Sequence, residues 1–268
     1  HAGRGHLTIM RLTFLGTGTS FGVPVVGCDC RVCLSPDPAD IRTRHGALLE
    51  LEGGNLLIDS PPELRMQLLA TQTTTVDAVW FTHDHADHCH GIDDLRAFTT
   101  RNRPDIPAYV PDIYENQFRT RFNYIFNNQY QPPKGTIKPR IELCSFGPDV
   151  PVDILGQQFS PVVVPHGPQY SYGFRVGNLG YVTDGKSLPD EALATLKGVS
   201  VLVLNALWFG RPHPTHFNVE EAVEAAALVG AENTFLTHIS HKVRHKELIE
   251  KLPVNVQPAY DGLKVEIN

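Results

Sequence analysis

The sequence predicts an α/β protein in which two mixed β-sheets pack face to face between outer helices, a four-layer αββα sandwich. Three observations support this fold. Short apolar runs rich in β-branched residues recur along the chain, as strands do. In the early part of the chain the predicted strands follow one another, and later they alternate with segments of helical periodicity. With 268 residues and 41% hydrophobic side chains, the chain can bury a large core as one domain.

The helix at residues 219–229 has the clearest signals. Asn218 is an N-cap candidate, acidic residues fill the first turn, and Gly230 follows the end. We expect the helix at 246–251 to stop before Pro253. The predicted strands are residues 12–15, 47–51, 56–59, 76–81, 159–164, 172–176, 180–183, 199–205, 234–237 and 264–267. The predicted helices are residues 62–69, 189–196, 219–229 and 246–251.

We expect residues 10–268 to form a single domain. Met10 opens a strand-like run and reads as a native start, so residues 1–9 are predicted to be an expression remnant or disordered. Between about residues 101 and 147, aromatic side chains alternate with arginine and asparagine, which indicates an insertion. A lid is one role for it, but packing or a contact in a homodimer is favoured. Its aromatic residues are Tyr109, Tyr114, Phe118, Phe122, Tyr124, Phe126 and Tyr130.

The net charge of −6 and the pI near 6.1 argue against a broad basic face. Since neutralisation of phosphates by Lys and Arg dominates the binding of long nucleic acids, we expect no such partner. A small phosphorylated substrate remains compatible with this charge. The sequence has no apolar stretch of about 18 residues, the length of a membrane span, and no recognisable signal peptide. We therefore expect a cytoplasmic protein without a membrane partner.

A dense group of metal-ligand residues follows the apolar run at residues 76–81. His83, His85, Asp87 and His88 lie within six residues, and imidazole and carboxylate ligands suit zinc, iron and manganese. Ligands so close along the chain cannot all reach one ion with relaxed geometry. We therefore predict two neighbouring ions, with His83 and His85 on one and Asp87 and His88 on the other. The alternative is a solvated, histidine-rich loop.

Further ligands are expected where later strands end, at His166, Asp184 and His238. Asp184 is predicted to bridge the ions with one carboxylate oxygen on each, leaving a position for a shared water. Asp59 ends another strand and either orients a ligand imidazole or serves as a turn or helix cap before Pro61. The predicted ligands of the first ion are His83, His85, His166 and Asp184. The predicted ligands of the second ion are Asp87, His88, His238 and Asp184.

The cysteines suggest a third, closed metal site. Cys28, Cys30 and Cys33 lie within six residues, and without a secretory signal such thiols are more often metal ligands than disulfide partners. His241 is the best candidate for the fourth ligand. Three thiolates and one imidazole leave no position for substrate, so this site is predicted to hold a structural zinc. The alternative is a turn with reduced, unmetallated thiols.

These residues resemble a known family. The H-x-H-x-D-H motif at residues 83–88, with His166, Asp184 and His238 downstream, resembles the metallo-β-lactamase superfamily and implies its αββα sandwich. The cysteine cluster, the T-H-I-S-H stretch at 237–241 and the L-G-T-G motif at 15–18 resemble one branch. That branch is the PhnP-type phosphodiesterases, which open phosphoribosyl 1,2-cyclic phosphate.

The resemblance implies a hydrolase acting on a small cyclic phosphate or phosphodiester. It implies two Mn²⁺ or Zn²⁺ ions in the catalytic site and one structural Zn²⁺. It also implies a catalytic histidine within residues 211–218, which we align with His216, with His213 as the competitor. Histidine suits protonation of a departing oxygen because it titrates in the right range. Asp87 is counted with His216 among the catalytic residues.

Two other functions within the same superfamily are kept open. A tRNA 3′-end nuclease shares the metal ligands, but the acidic balance of this chain counts against a long RNA. A non-catalytic metal-binding accessory protein, as in pyrroloquinoline-quinone biosynthesis, also carries a cysteine cluster. That relative departs from the H-x-H-x-D-H ligand set, which this chain retains in full.

Overall fold

The computed structural model describes residues 10–100 and 103–268 and contains two mixed seven-stranded sheets flanked by helices, which confirms the predicted fold class. Residues 1–9, predicted to be a remnant or disordered, lie outside the described residues. In spatial order, the first sheet consists of β14 (Lys264–Ile267), β1 (Met10–Gly16), β2 (Gly46–Leu51), β3 (Gly54–Ile58), β4 (Ala78–Trp80), β5 (Ile106–Pro111) and β6 (Ile141–Phe146). The second sheet consists of β13 (Val256–Pro258), β12 (Asn233–Thr237), β11 (Val201–Asn205), β10 (Leu179–Tyr181), β9 (Gln169–Val176), β8 (Gln157–His166) and β7 (Val152–Ile154).

The two sheets share one pattern of strand pairing. From β14 to β3 the neighbours are antiparallel, and from β3 to β6 they are parallel. The second sheet repeats this pattern, antiparallel from β7 to β10 and parallel from β10 to β13. Every residue of β11 is buried, as expected for a parallel strand covered on both faces. The two halves of the chain therefore have similar topology.

The main core lies between the sheets. Trp80 of the first sheet is fully buried and packs against Phe159 and Phe174 of the second. Its indole N–H donates to the carbonyl of Tyr172 at 2.8 Å, which satisfies the one polar atom of this side chain. The aromatic cluster and this hydrogen bond fix the two sheets against each other directly below the end of β4.

Helices cover the outer faces. The helices are α1 (Leu64–Ala70), α2 (Ala86–Cys89), α3 (Glu115–Arg121), α4 (Asn123–Phe126), α5 (Asp190–Leu196), α6 (Val219–Val229) and α7 (His245–Lys251). The predicted bounds of α6 are confirmed, with a capping box between Asn218 and Glu221 and a left-handed Gly230 after its last residue. Within the described residues, every helix is too short or too polar to cross a lipid bilayer.

The segment set apart by composition at about residues 101–147 supplies part of the first sheet. Its described part contains β5 and β6, which extend the parallel side, with α3 and α4 between them. Tyr114, Phe118 and Phe122 are buried in the main core, in keeping with the packing interpretation. Strand β5 was not predicted because it contains Pro107 and Pro111, and proline is uncommon in an interior strand.

Candidate metal centre

The ends of strands from both sheets meet at one edge of the sandwich. Parallel strands β3 and β4 end side by side, as do β10, β11 and β12 in the second sheet. Residues just beyond the carboxyl ends of parallel strands lie together at that edge. The structure brings all seven predicted metal ligands to this place. They are His83, His85, Asp87, His88, His166, Asp184 and His238.

The three histidines assigned to the first ion converge. The Nε2 of His83 lies 3.0 Å from the Nδ1 of His85, and the Nε2 of His166 lies 3.3 Å from that same Nδ1. Nitrogen ligands about 2.1 Å from one ion, at angles of about 90–109°, are separated by about 3.0–3.4 Å. Both distances from His85 therefore match ligands around a common ion, and all three nitrogen atoms lie within 4.8 Å of one another.

The residues assigned to the second ion present unpaired nitrogen atoms. The Nε2 of His88 lies 3.4 Å from Asp87 Oδ2, and the Nε2 of His238 lies 3.9 Å from it. Among the described residues, His88 Nε2 and both ring nitrogens of His238 are buried without a hydrogen-bond partner. A buried polar atom left unpaired is unfavourable by about 1–3 kcal/mol. A divalent ion would satisfy the lone pairs of the two Nε2 atoms, so the donor set fits a metal.

Asp184 connects the two groups through one oxygen. Its Oδ2 lies 3.4 Å from the Nε2 atoms of His88 and His238, and 3.9 Å from those of His83 and His166. Its Oδ1 instead accepts a hydrogen bond of 2.7 Å from the hydroxyl of its neighbour Thr183. The expectation of one oxygen for each ion is therefore not what the structure shows. A single oxygen faces both groups because the hydroxyl holds the other.

Asp59 orients His88. Its Oδ2 lies 2.6 Å from the Nδ1 of His88, so the Nε2 of that ring faces the other predicted ligands. Its Oδ1 accepts the backbone N–H of Thr82 at 2.9 Å, so the carboxylate is itself held in place. Burial raises the pKa of Asp59, and the imidazole of His88 opposes this rise. Of the two roles considered for Asp59, this contact with the imidazole of His88 agrees with the first.

Three residues of this site have left-handed backbone conformations. The φ angles are 60° at Asp59, 57° at Asp184 and 56° at His238. Non-glycine residues pay about 1–2 kcal/mol for this conformation, and such strain is concentrated at functional sites. A glycine would remove the strain but would also remove the carboxylate or imidazole that the site uses. The sequence gives no sign of these conformations, because strand ends followed by polar residues are common.

The carboxylates and imidazoles perturb each other strongly. Burial alone would raise the pKa of Asp184, but His238 and His88 outweigh it and hold the pKa well below its ordinary value. Burial opposes the charged form of His88, but Asp184, Asp87 and Asp59 raise its pKa well above the ordinary value. Burial lowers the pKa of His83. Without a bound ion, the carboxylates therefore hold a proton on His88, and a divalent cation that binds there would take the place of this proton.

His216 lies on the open side of the centre. Its Nε2 is 3.1 Å from Asp184 Oδ2, and its Nδ1 is 2.8 Å from the hydroxyl of Thr215. The Nδ1 of His213, the competing candidate, lies 3.3 Å from the Nδ1 of His216. Burial lowers the pKa of His216, partly opposed by Asp184. His216 thus touches the shared carboxylate, whereas His213 touches His216.

The centre opens into a cleft of about 290 Å³. Apart from the predicted residues, its walls contain Ser20, Pro168, Gln169 and Thr215, which the sequence analysis did not find. Wall residues carry no motif of their own, so only the fold reveals them. The residues lining the cleft are Ser20, His85, Asp87, His166, Pro168, Gln169, Asp184, Thr215, His216 and His238.

Arg121 of α3 supports the metal-binding loop from outside. Its guanidinium donates to the backbone carbonyl of Asp84 and, at 3.1 Å, to the Asp84 carboxylate. Asp84 separates His83 from His85 in the chain. The segment at about residues 101–147 therefore helps to hold the loop that carries His83 and His85. This role was also missed, because the contact joins residues 37 positions apart in a segment without recognisable motifs.

The predicted structural zinc site is also assembled. The Nδ1 of His241 lies 3.4, 3.6 and 3.5 Å from the sulfurs of Cys28, Cys30 and Cys33. A tetrahedral zinc with bonds of about 2.3 Å to sulfur and about 2.1 Å to nitrogen separates these atoms by about 3.6 Å. The four residues therefore fit such an ion. They connect the loop after β1 to the segment that precedes α7.

In the metal-free protein, Cys30 is expected to react with iodoacetamide before Cys33 and Cys89. The backbone N–H of Cys33 donates to Cys30 Sγ at 3.5 Å and lowers the pKa of Cys30 to about 6. Its reactive thiolate therefore predominates at pH 7. Burial raises the pKa of Cys33 to about 11 and that of Cys89 to about 12, so both remain thiols.

Mass spectrometry after brief labelling at pH 7 measures this order. Reloading with Zn²⁺ should protect Cys30 while leaving Cys89 unchanged, because Cys30 belongs to the zinc site and Cys89 does not. Equal labelling of Cys30 and Cys33 in the metal-free protein would contradict the prediction.

Comparisons with known proteins identify the family. The profile of the Beta-lactamase superfamily domain matches residues 54–239, and the chain belongs to that superfamily. A solved structure described as a new diphosphatase from the PhnP family is 37% identical, covers 97% of both chains and has a TM-score of 0.88. The chain is accordingly a PhnP-type metallo-β-lactamase, as its motifs predicted. Its fold is that of metallo-hydrolases.

Two further proteins are similar to this chain, one in sequence and one in fold. A Porphyromonas gingivalis (strain ATCC BAA-308 / W83) protein named octanoyltransferase is 36% identical over 261 residues, which are 97% of this chain. The chain spans 52% of the length of that relative. The short form of human tRNase Z shares the fold, with a TM-score of 0.70, 18% identity, and coverage of 96% of this chain and 99% of that chain.

Proposed function

We propose that this chain is a dinuclear metal-dependent phosphodiesterase that hydrolyses a small cyclic phosphate or phosphodiester. The observation that carries the proposal is the position of Asp184 Oδ2. It lies within 3.4 Å of ligand nitrogens from the second group, 3.9 Å from those of the first, and 3.1 Å from His216. One anionic oxygen thus joins two cation sites and a proton donor, an arrangement suited to a doubly charged phosphoryl transition state.

Mn²⁺ or Zn²⁺ would be held by the two groups described above, and a third zinc by the cysteine site. When bound, such a pair supplies Lewis-acid charge for the phosphoryl oxygens and acidifies water. The protein supplies the rest. Asp87, which lines the cleft, holds the attacking water by accepting its hydrogen bond. His216 orients the phosphate and delivers a proton to the departing oxygen from the cleft wall.

The size of the cleft and the net charge of the chain support a small substrate. The cleft measures about 290 Å³, and the net charge of −6 disfavours long nucleic acids. Hard carboxylate ligands suit phosphate chemistry with manganese or zinc. This combination supports a cyclic phosphate or nucleotide-like diester over a tRNA precursor.

A second candidate is hydrolysis of a diphosphate bond. The 37% identical PhnP-family structure is described as a diphosphatase, which favours this reaction. The same residues serve both reactions, because water attacks phosphorus and an oxygen departs in each. The difference lies in the leaving group, a phosphate for the diphosphatase and an alkoxide for the diesterase. Protonation by His216 therefore matters more for the diesterase.

A substrate panel tests the proposal. The protein loaded with Mn²⁺ or with Zn²⁺ is assayed on bis-p-nitrophenyl phosphate, ribose 1,2-cyclic phosphates, nucleoside 2′,3′-cyclic phosphates and a nucleoside diphosphate ester. A tRNA precursor and an octanoyl thioester are included to test activities that the names tRNase Z and octanoyltransferase suggest. We expect turnover of the small diesters. Turnover of the tRNA precursor or the thioester alone would overturn the proposal. Inactivity with every metal would favour an accessory protein.

A further inference from the structure

Thr215 contacts two histidines of the site at once. It lies in the loop between β11 and α6, directly before His216 in the chain. Its carbonyl oxygen lies 3.1 Å from the Nδ1 of His166, and its hydroxyl lies 2.8 Å from the Nδ1 of His216. We propose that Thr215 is a positioning residue that holds the metal-ligand face of His166 and the proton-donor face of His216 towards the same cleft. The part concerning His216 rests on the proposed function.

The carbonyl fixes the ring of His166. Because a carbonyl only accepts, the Nδ1 of His166 must carry the proton of this hydrogen bond. The lone pair of His166 is then on Nε2, the atom that lies 3.3 Å from His85 Nδ1. A histidine that binds metal through one nitrogen usually donates from the other, which sets its tautomer and orientation. Thr215 performs this function through its backbone.

The hydroxyl fixes the ring of His216. Rotation of the imidazole by half a turn would take Nδ1 away from the Thr215 hydroxyl and Nε2 away from Asp184. In the orientation shown, both nitrogens have polar partners, at 2.8 and 3.1 Å. The backbone N–H of Thr215 also donates to the Nδ1 of His213 at 3.3 Å. Thr215 is therefore tied to three histidines by three different polar groups.

The methyl group of Thr215 is packed as well. Gly167, at the tip between β8 and β9, has a φ of +62°, and a Cβ at this position would lie 2.8 Å from Thr215 Cγ2. The close approach requires glycine at one side and leaves the threonine methyl little space to move. The turn between β8 and β9, next to His166, therefore packs against the methyl group of Thr215. The carbonyl, hydroxyl and methyl groups of Thr215 each make a contact. Serine lacks the methyl group and valine lacks the hydroxyl.

Two substitutions separate these contributions. Thr215→Val keeps the shape and removes the hydroxyl, whereas Thr215→Ser keeps the hydroxyl and removes the methyl. The exposed Thr120→Val is the matched control, since Thr120 lies on α3 outside the cleft. The first readout is the ¹⁵N spectrum of histidine side chains in the zinc-loaded protein. Thr215→Val should shift the Nδ1 signal of His216, and Thr215→Ser should leave it close to that of the unsubstituted protein.

The second readout is kinetic. Thr215→Val should lower kcat about 10- to 100-fold on a diester with an alkyl leaving group, with KM and metal content unchanged. The loss should be much smaller for bis-p-nitrophenyl phosphate, whose leaving group departs without a proton. Thr215→Ser should retain most of kcat on both substrates.

Other outcomes are also decisive. An unchanged His216 signal in Thr215→Val, or equal losses of kcat on both substrates, would overturn the inference. Loss of metal in Thr215→Val would do the same, since its carbonyl remains. If the unsubstituted protein cleaves neither diester, the proposed function fails, while the ¹⁵N spectrum still tests the contacts of Thr215.

Discussion

Replacing Asp184 with alanine is expected to remove both catalytic ions and nearly all activity. Its Oδ2 is the oxygen that faces both ligand groups, 3.4 Å from His88 and His238 and 3.9 Å from His83 and His166. Without it, no anion is shared between the groups. We expect kcat on a small diester to fall by more than about 10³-fold, the scale of losing electrostatic stabilisation of a transition state.

Elemental analysis measures the first part of this prediction. The Asp184→Ala protein should retain zinc at Cys28, Cys30, Cys33 and His241 while losing the other ions. Asp184→Asn, which has nearly the same size, separates the effect of charge from that of packing. The exposed Asp149→Ala is the matched control, since this carboxylate lies outside the cleft. Two ions per chain retained beside the zinc in Asp184→Ala, or high activity in Asp184→Asn, would contradict the assignment.

The positions of the ligands were predictable because of where they occur along the chain. His83, His166 and His238 each follow or end an apolar run, and the fold brings such strand ends to one edge. Local signals also predicted the bounds of α6, because its capping residues lie next to it in the chain. Both predictions depend on short-range patterns that the tertiary structure preserves.

Other features depend on contacts that no local pattern encodes. The single-oxygen geometry of Asp184 follows from the hydroxyl of Thr183, which competes for the other oxygen. The contact of Arg121 with Asp84 joins a helix to a loop across 37 positions. Strand β5 contains prolines, so its propensity points away from the structure that its neighbours impose. Long-range packing decides each of these cases.

Replacing His216 with alanine is expected to lower kcat by about 10²- to 10⁴-fold, the usual contribution of a positioned proton donor. Metal content should stay unchanged, because both ligand groups are complete without this ring. The His216 Nε2 lies 3.1 Å from Asp184 Oδ2 and lines the cleft, so it can reach an oxygen that departs from phosphorus above the shared carboxylate. The effect should be smaller for substrates with acidic leaving groups.

His213→Ala provides the comparison that separates the two loop histidines. The Nδ1 of His213 lies 3.3 Å from the Nδ1 of His216, and its ring contacts Trp208. Removing His213 should therefore loosen the position of His216 without removing the proton donor. We expect a loss well below that of His216→Ala. Equal loss of metal and activity in His216→Ala would make His216 a ligand instead of a proton donor. A larger effect of His213→Ala would assign the donor role to His213, since a side chain that only supports another cannot matter more than the one it supports.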